Sequence, residues 1–184
     1  MAALLELRGI HKKFPGVYAL NDVDFTLEAG SVHALLGENG AGKSTLIKII
    51  AGIYDFSGEY WIDGQKMEVH SPSESIAHGV GVIYQELNLC LNMTVGENIY
   101  FDRWADNKGI VINYNKMYDK TQDLLNELGF GINARETVGK LSTAQQQLVE
   151  IAKAISLNAK ILVMDEPTSA LSCSEIESLF VIAS

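Results

Sequence analysis

Nine consecutive residues, Gly37-Glu38-Asn39-Gly40-Ala41-Gly42-Lys43-Ser44-Thr45, follow the pattern G-x-x-x-x-G-K-[ST]. That pattern suits a chain of phosphates. Several negative charges must be met by close backbone, inward-turned N–H groups and a cation. Gly37, Gly40 and Gly42 permit φ values and approaches that a Cβ would block. Lys43 can reach the outer phosphates, and the Ser44 hydroxyl can ligate Mg²⁺. A helix opened by Ser44-Thr45-Leu46-Ile47 turns its positive end to the same ligand. A second chemical feature is Asp165-Glu166, which closes the apolar run Ile161-Leu162-Val163-Met164. In an open parallel sheet, ligands gather beyond the C-terminal ends of strands, which predicts the acidic pair beside the glycine loop. One carboxylate would serve a Mg²⁺ shell, and the next would take a proton from an attacking water or hold that water in line.

These groups need a frame, and the hydrophobic pattern supplies one of α/β class. Residues 31–36 (Ser-Val-His-Ala-Leu-Leu) predict a buried strand leading into the glycine loop, and residues 46–51 a helix ending near Gly52. Residues 4–10 and the alternating residues 23–27 predict two earlier strands. Residues 58–64 predict a strand that runs into an Asp63-Gly64 turn. A short helix over 73–78 and a buried strand over 80–85 follow. From about Asn92 to Ile155 the pattern is helical: residues 121–128 are amphipathic and stop at Gly129. Ser142 and Gln145 have capping-box spacing and open a helix with Leu148, Ile151, Ala152 and Ile155 on one stripe. Residues 161–166 predict a central buried strand, and a last helix begins near Ser174 or Glu175. There is no internal repeat and no low-complexity linker.

The 184 residues are enough for one domain with a sizeable core and a small subdomain. A net charge of −9 argues against nucleic acid as the main partner, because a phosphate backbone needs a basic face. The one basic cluster, His11-Lys12-Lys13, reads as a solvated strand end. Cys90 and Cys173 lack metal-like spacing and read as small packing residues in a reducing compartment. No apolar run approaches the roughly 18 residues needed to cross a bilayer, and the N-terminus lacks the basic region of a signal peptide.

Taken together, the motifs resemble those of the ATP-binding subunit of ABC transporters, in family order and nearly from end to end. Residues 37–45 match the Walker A loop. Gln85, in Val82-Ile83-Tyr84-Gln85-Glu86, matches the Q-loop glutamine, which in the family touches Mg²⁺ and the attacking water near the membrane subunit. Leu141-Ser142-Thr143-Ala144-Gln145-Gln146-Gln147 falls where the signature motif belongs. Residues 161–165 with Glu166 match Walker B and the catalytic glutamate, and Ser169-Ala170-Leu171-Ser172 resembles the D-loop. Tyr18 lies at the position of the aromatic that stacks on adenine; its alternative is a strand tyrosine packed in the core. Residues 84–89 and 145–154 are similar to bacterial importers of ribose, galactose, xylose and related sugars.

The resemblance implies a P-loop NTPase with a mixed or parallel core sheet, an N-terminal antiparallel β region and a helical subdomain. Residues 1–91 and 156–184 would form the RecA-like core, and about 92–155 the helical subdomain with the signature. It implies ATP and Mg²⁺ as ligands, with Glu166 and Gln85 catalytic and Ser44, Gln85 and Asp165 around the metal. Residues 37–45, Tyr18, Ser142 and Gln145 would hold the nucleotide. The implied partners are a second ATPase half, transmembrane permease subunits and, indirectly, a sugar-binding protein. The implied place is the cytoplasmic face of the inner membrane.

Two departures from the family pattern stand out. Thr143 and Ala144 replace the glycines of the usual L-S-G-G-Q, which predicts a retuned contact and not a lost one, since Ser142 and its helix N-terminus remain. The chain also reaches Ser184 without the family's switch histidine, because His11, His33, His70 and His78 all precede Walker B. The expectation is therefore an N-terminal part of a longer ATPase, with a sheet edge and an apolar helix face left open. Three functions are weighed: a transport-coupled ATPase, a nucleotide-binding module with little hydrolysis of its own, and a soluble ABC ATPase. The acidic composition and the importer-like segments favour the first over the third.

Overall fold

The computed structural model describes residues 3–83, 87–104 and 113–164. The chain divides into two compact units, one up to Gly81 and one from Val82 onward.

In the first unit a four-stranded antiparallel sheet has the order β2-β1-β3-β4. Its strands are β1 (Ala3–Phe14), β2 (Val17–Glu28), β3 (Ser57–Ile62) and β4 (Gln65–Met67). Leu5 and Leu7 face the core by simple alternation. A register shift between Leu7 and Ile10 then brings Ile10 to that same side. The β3–β4 connection is the expected tight turn, with Asp63 at φ 50° and Gly64 at φ 71°. Helix α1 (Lys43–Ile50) buries Leu46, Ile47, Ile49 and Ile50. Each such aliphatic side chain contributes roughly 1.5–3 kcal/mol when fully buried.

The C-terminal end of α1 is held by side chains. The buried Ile50 carbonyl accepts from Tyr60 Oη at 3.2 Å and from Ser75 Oγ at 2.8 Å, on β3 and on α2 (Pro72–Ala77). Burial pushes the Tyr60 phenol well above its ordinary pKa, so it stays a donor. Ser71 caps α2 by accepting the Glu74 N–H.

The second unit is mainly helical: α3 (Val95–Trp104), α4 (Tyr114–Glu127) and α5 (Thr143–Ser156), with a 3-10 turn at Val138–Lys140. Ile83, Val95, Ile99, Met117, Leu125, Phe130, Leu148 and Ile151 are among the residues of its core. Strand β6 (Ile161–Met164) pairs with β5 (Val80–Ile83) in a two-stranded sheet. Helix α4 stops at Gly129, φ 70°, as expected.

Three expectations are corrected. Residues 31–36 are not a strand, and Val32 and Leu36 are 60% and 89% exposed. A strand exists only where a neighbour takes its N–H and C=O groups, and no described strand pairs with this segment. Lys12 is no solvated strand end: its ammonium lies 2.8 Å from Asp55 and 5.4 and 5.3 Å from the Phe14 and Tyr54 ring centroids. Its alkyl stem is covered in the way long cationic chains cover apolar surface. Cys90 is an exposed free thiol and not a packing residue. Cys173, the acidic pair and the last helix lie outside the described residues.

Candidate functional site

The loop at residues 37–45 joins the segment after β2 to α1, and its conformation is set by two glycines. Gly40 has φ 85° and Gly42 φ 93°, both in the left-handed region. At Gly42 there is also no room: a Cβ would lie 2.7 Å from the Ala19 carbonyl oxygen and 2.8 Å from Leu20 Cδ2. Gly42 thus serves two needs, the turn into α1 and close contact with β2. The Ala41 N–H donates to the Glu38 carbonyl at 3.1 Å and tightens the loop.

Gly42 is the N-cap of α1, and no side chain caps the helix. The Leu46 N–H makes the first intrahelical bond, to the Gly42 carbonyl at 2.9 Å. The amides of Lys43, Ser44 and Thr45 therefore have no backbone partner among the described residues. Lys43 Nζ donates to the carbonyls of Gly37 at 2.6 Å and Glu38 at 2.9 Å, folding the cation back over the loop. Ser44 is exposed, and the first turn of α1 carries no acidic side chain. Uncapped amides, a helix N-terminus, a cation held by loop carbonyls and a free hydroxyl together fit a polyphosphate with its Mg²⁺. Glu38 and Asn39 lie exposed within the same turn.

Tyr18 stands on β2 next to Ala19, against which Gly42 packs. It is 59% exposed, so the core-tyrosine alternative does not hold. Lys13 Nζ lies 4.8 Å from its ring centroid. The loop and this exposed aromatic thus belong to one unit and meet the same stretch of β2.

Ser142 and Gln145 are at the start of α5 in the second unit. Ser142 Oγ accepts from the Gln145 N–H at 3.3 Å, and Gln145 Oε1 accepts from the Ser142 N–H at 3.0 Å, a complete capping box. Thr143 and Ala144 occupy the first two helical positions with ordinary helical backbone, so neither needs to be glycine for the helix to start. Gln85, Asp165 and Glu166 lie outside the described residues.

Two polar residues that the hydrophobic pattern passed over are buried beside the 87–90 segment. Glu150 accepts the Asn88 N–H at 2.8 Å, and Asn98 accepts the Cys90 N–H at 2.7 Å while donating to its carbonyl at 3.1 Å. Burial pushes the Glu150 carboxyl up, while Lys153 and the Asn88 amide pull it down. The available signal was an acid flanked by apolar residues on both sides, Leu148-Val149-Glu150-Ile151-Ala152.

The ABC transporter family profile matches residues 20–169. The chain belongs to the ABC transporter ATP-binding family. It is 51% identical, over 97% of its length, to a "putative ribose/galactose/methyl galactoside import ATP-binding protein 2" of Agrobacterium fabrum. It is 47% identical over the same share to the galactose/methyl galactoside import ATP-binding protein MglA of Escherichia coli. The chain spans 35% of the length of each of these relatives. Among solved structures, an ATP-binding cassette of an ABC transporter in its ADP conformation superposes with TM-score 0.81 at 27% identity, covering 100% of this chain and 76% of that one. A nucleotide-free cassette superposes with TM-score 0.82 at 26% identity, covering 98% and 77%. Among the described residues no helix is long and apolar enough to cross a membrane.

Proposed function

We propose that this chain is the nucleotide-binding part of an ATPase that drives import of a sugar through an ABC transporter. The observation that carries the reading is the loop at 37–45. Its left-handed glycines, uncapped α1 amides and inward-held Lys43 form a polyphosphate cradle. The sugar class is supported by relatives whose printed names are those of galactose and ribose importers.

In this reading the amides of Lys43, Ser44 and Thr45 bind the β- and γ-phosphates, and Lys43 exchanges its carbonyl partners for them. Ser44, Gln85 and Asp165 would hold Mg²⁺, which would supply positive charge against that of the phosphates. Glu166 takes a proton from the attacking water or fixes its direction. Tyr18 offers its exposed face to adenine, where stacking is tolerant of small displacements. Ser142, Gln145 and the α5 N-terminus meet the nucleotide of an opposite half, the two halves closing head to tail.

Residues 1–91 with 156–184 then form the nucleotide core and residues 92–155 the helical subdomain. The partners are a second ATPase half, membrane-spanning permease subunits and, through them, a sugar-binding protein. The protein works at the cytoplasmic face of the inner membrane, peripheral to it.

The direct test is nucleotide binding. Lys43→Ala removes the cation but leaves a good helix former at the start of α1, so the fold should persist. Affinity for Mg-ATP should fall by about 10- to 100-fold, given roughly 1.5–3 kcal/mol for a hydrogen bond to a charged group. Wild-type affinity in Lys43→Ala, with circular dichroism unchanged, would refute the assignment.

A further inference from the structure

Asn39-Gly40 is the one asparagine–glycine pair in the chain, and it lies inside the phosphate loop. Such a pair favours loss of the asparagine carboxamide, because glycine leaves the following amide nitrogen unshielded. Three local features keep that reaction open here. Asn39 and Gly40 are both exposed. Neither the Asn39 carboxamide nor the Gly40 N–H has a hydrogen-bond partner among the described residues. A Cβ built on Gly40 would meet nothing within 4 Å, which leaves space for a ring at this position. Other asparagines are held in place. Asn98 is bonded to the backbone of Cys90 and Thr94, and Asn133 accepts the Arg135 N–H.

The turn itself supplies the motion that the reaction needs. The Ala41 N–H donates to the Glu38 carbonyl at 3.1 Å, and Gly40 has φ 85° while Asn39 keeps a negative φ. Residues 38–41 are therefore a type II turn. The peptide between Asn39 and Gly40 takes no part in the hydrogen bond that closes it. Glycine accepts either sign of φ, so this peptide can rotate while the Glu38–Ala41 bond holds. Rotation carries the Gly40 nitrogen past the Asn39 side chain.

We propose that Asn39 is a spontaneous modification site, open in the empty loop and closed by a bound polyphosphate. The Gly40 nitrogen loses its proton to solvent and attacks Asn39 Cγ. A C–N bond forms there, the bond from Cγ to Nδ2 breaks, and ammonia leaves. The five-membered imide then takes up one water. Opening at Cγ gives aspartate, and opening at the main-chain carbonyl gives isoaspartate, whose main chain is one carbon longer. Either product adds a carboxylate, beside Glu38, to a loop laid out for anions. Isoaspartate also breaks the spacing of the 38–41 turn. A polyphosphate held by the loop stops the Asn39–Gly40 peptide from rotating. The protection and the loss of affinity rest on the nucleotide reading above; the reaction in the empty loop does not.

The test incubates the nucleotide-free protein as encoded at mildly alkaline pH and follows its peptides by mass spectrometry. Replacement of the amino group by hydroxyl at Asn39 should outpace that at Asn98 and Asn133 by at least about ten-fold, as their local bonding slows them. Equal rates at the three positions, or no conversion at Asn39, would overturn the modification site. Mg-ADP at about 100 times its Kd leaves about 1% of the loops empty, so conversion should slow by at least about ten-fold. An unchanged rate in the saturated protein would overturn the protection. Fully converted protein should bind Mg-ADP at least about ten-fold more weakly, the scale of one lost charge-assisted bond. Asn39→Gln closes its larger ring far more slowly, so the aged variant should keep the affinity it starts with. Undiminished binding by the converted protein, or an equal decline in Asn39→Gln, would overturn the consequence for binding. Fresh wild-type protein that binds no nucleotide would defeat the nucleotide reading, with the protection and the loss of affinity. Conversion at Asn39 is read without any ligand and decides the modification site by itself.

Discussion

Gly42 shows how one position can be constrained twice. Its φ of 93° is a region that side chains other than glycine enter at a penalty, and a Cβ would press on the Ala19 carbonyl at 2.7 Å. Gly42→Ala should therefore destabilise the protein by about 1–3 kcal/mol through backbone strain alone. It should also weaken nucleotide binding, because relief of the clash moves the loop off β2. Urea denaturation and a Mg-ATP titration check the two effects, and wild-type values in both would contradict the packing described. Gly40 has the same backbone requirement, but its Cβ would meet nothing within 4 Å. The spacing of the motif is visible in sequence, whereas the reason that Gly42 is the stricter of the two is visible only where β2 comes up against the loop. Tyr18 is similar: its type and place suggest a stacking role, and its exposure is what separates that role from a core position.

Among the elements, α5 was the easiest to read in advance. Its capping box at Ser142 and Gln145 is present in full, and of the expected stripe Leu148, Ile151 and Ala152 are buried while Ile155 is half-buried. Ser142→Ala should destabilise the protein by about 1 kcal/mol, the usual effect of losing an N-cap acceptor. Thermal melting measures that change, and the absence of any shift would mean that the cap does not contribute. Helix α4 with its stop at Gly129, and the Asp63-Gly64 turn, were legible for the same reason: caps and tight turns are settled by a few adjacent residues. Residues 31–36 were not. Their apolar run describes an appetite for burial, but a strand needs partners, and partners come from distant sequence. Glu150 and Asn98 were missed because a polar residue inside an apolar face carries no periodic signal. Its partner, a backbone amide about sixty positions away in the case of Glu150, appears only on folding.

For the whole molecule, the reading makes hydrolysis a shared property of two halves, each giving phosphate-loop residues to its own nucleotide and a helix N-terminus to its partner's. Glu166→Gln in the protein as encoded should then retain ATP affinity while phosphate release falls by about 100-fold or more, the scale of a lost general base. Rapid-quench turnover together with ATP binding checks this, and wild-type turnover would remove Glu166 from its role. The motif order, the acidic composition and the importer-like segments all pointed to this class from the sequence, and the family match over residues 20–169 agrees. Sequence by itself determined the chemistry on offer: a glycine loop with its lysine, helix starts, turns and acidic strand ends are written in neighbouring residues with fixed spacing. Only tertiary structure decided which side chains are open to a ligand and which are spent as anchors, as with exposed Tyr18, covered Lys12 and buried Glu150. Exposure and pairing depend on contacts between segments far apart along the chain, and those contacts exist only once the backbone has closed on itself.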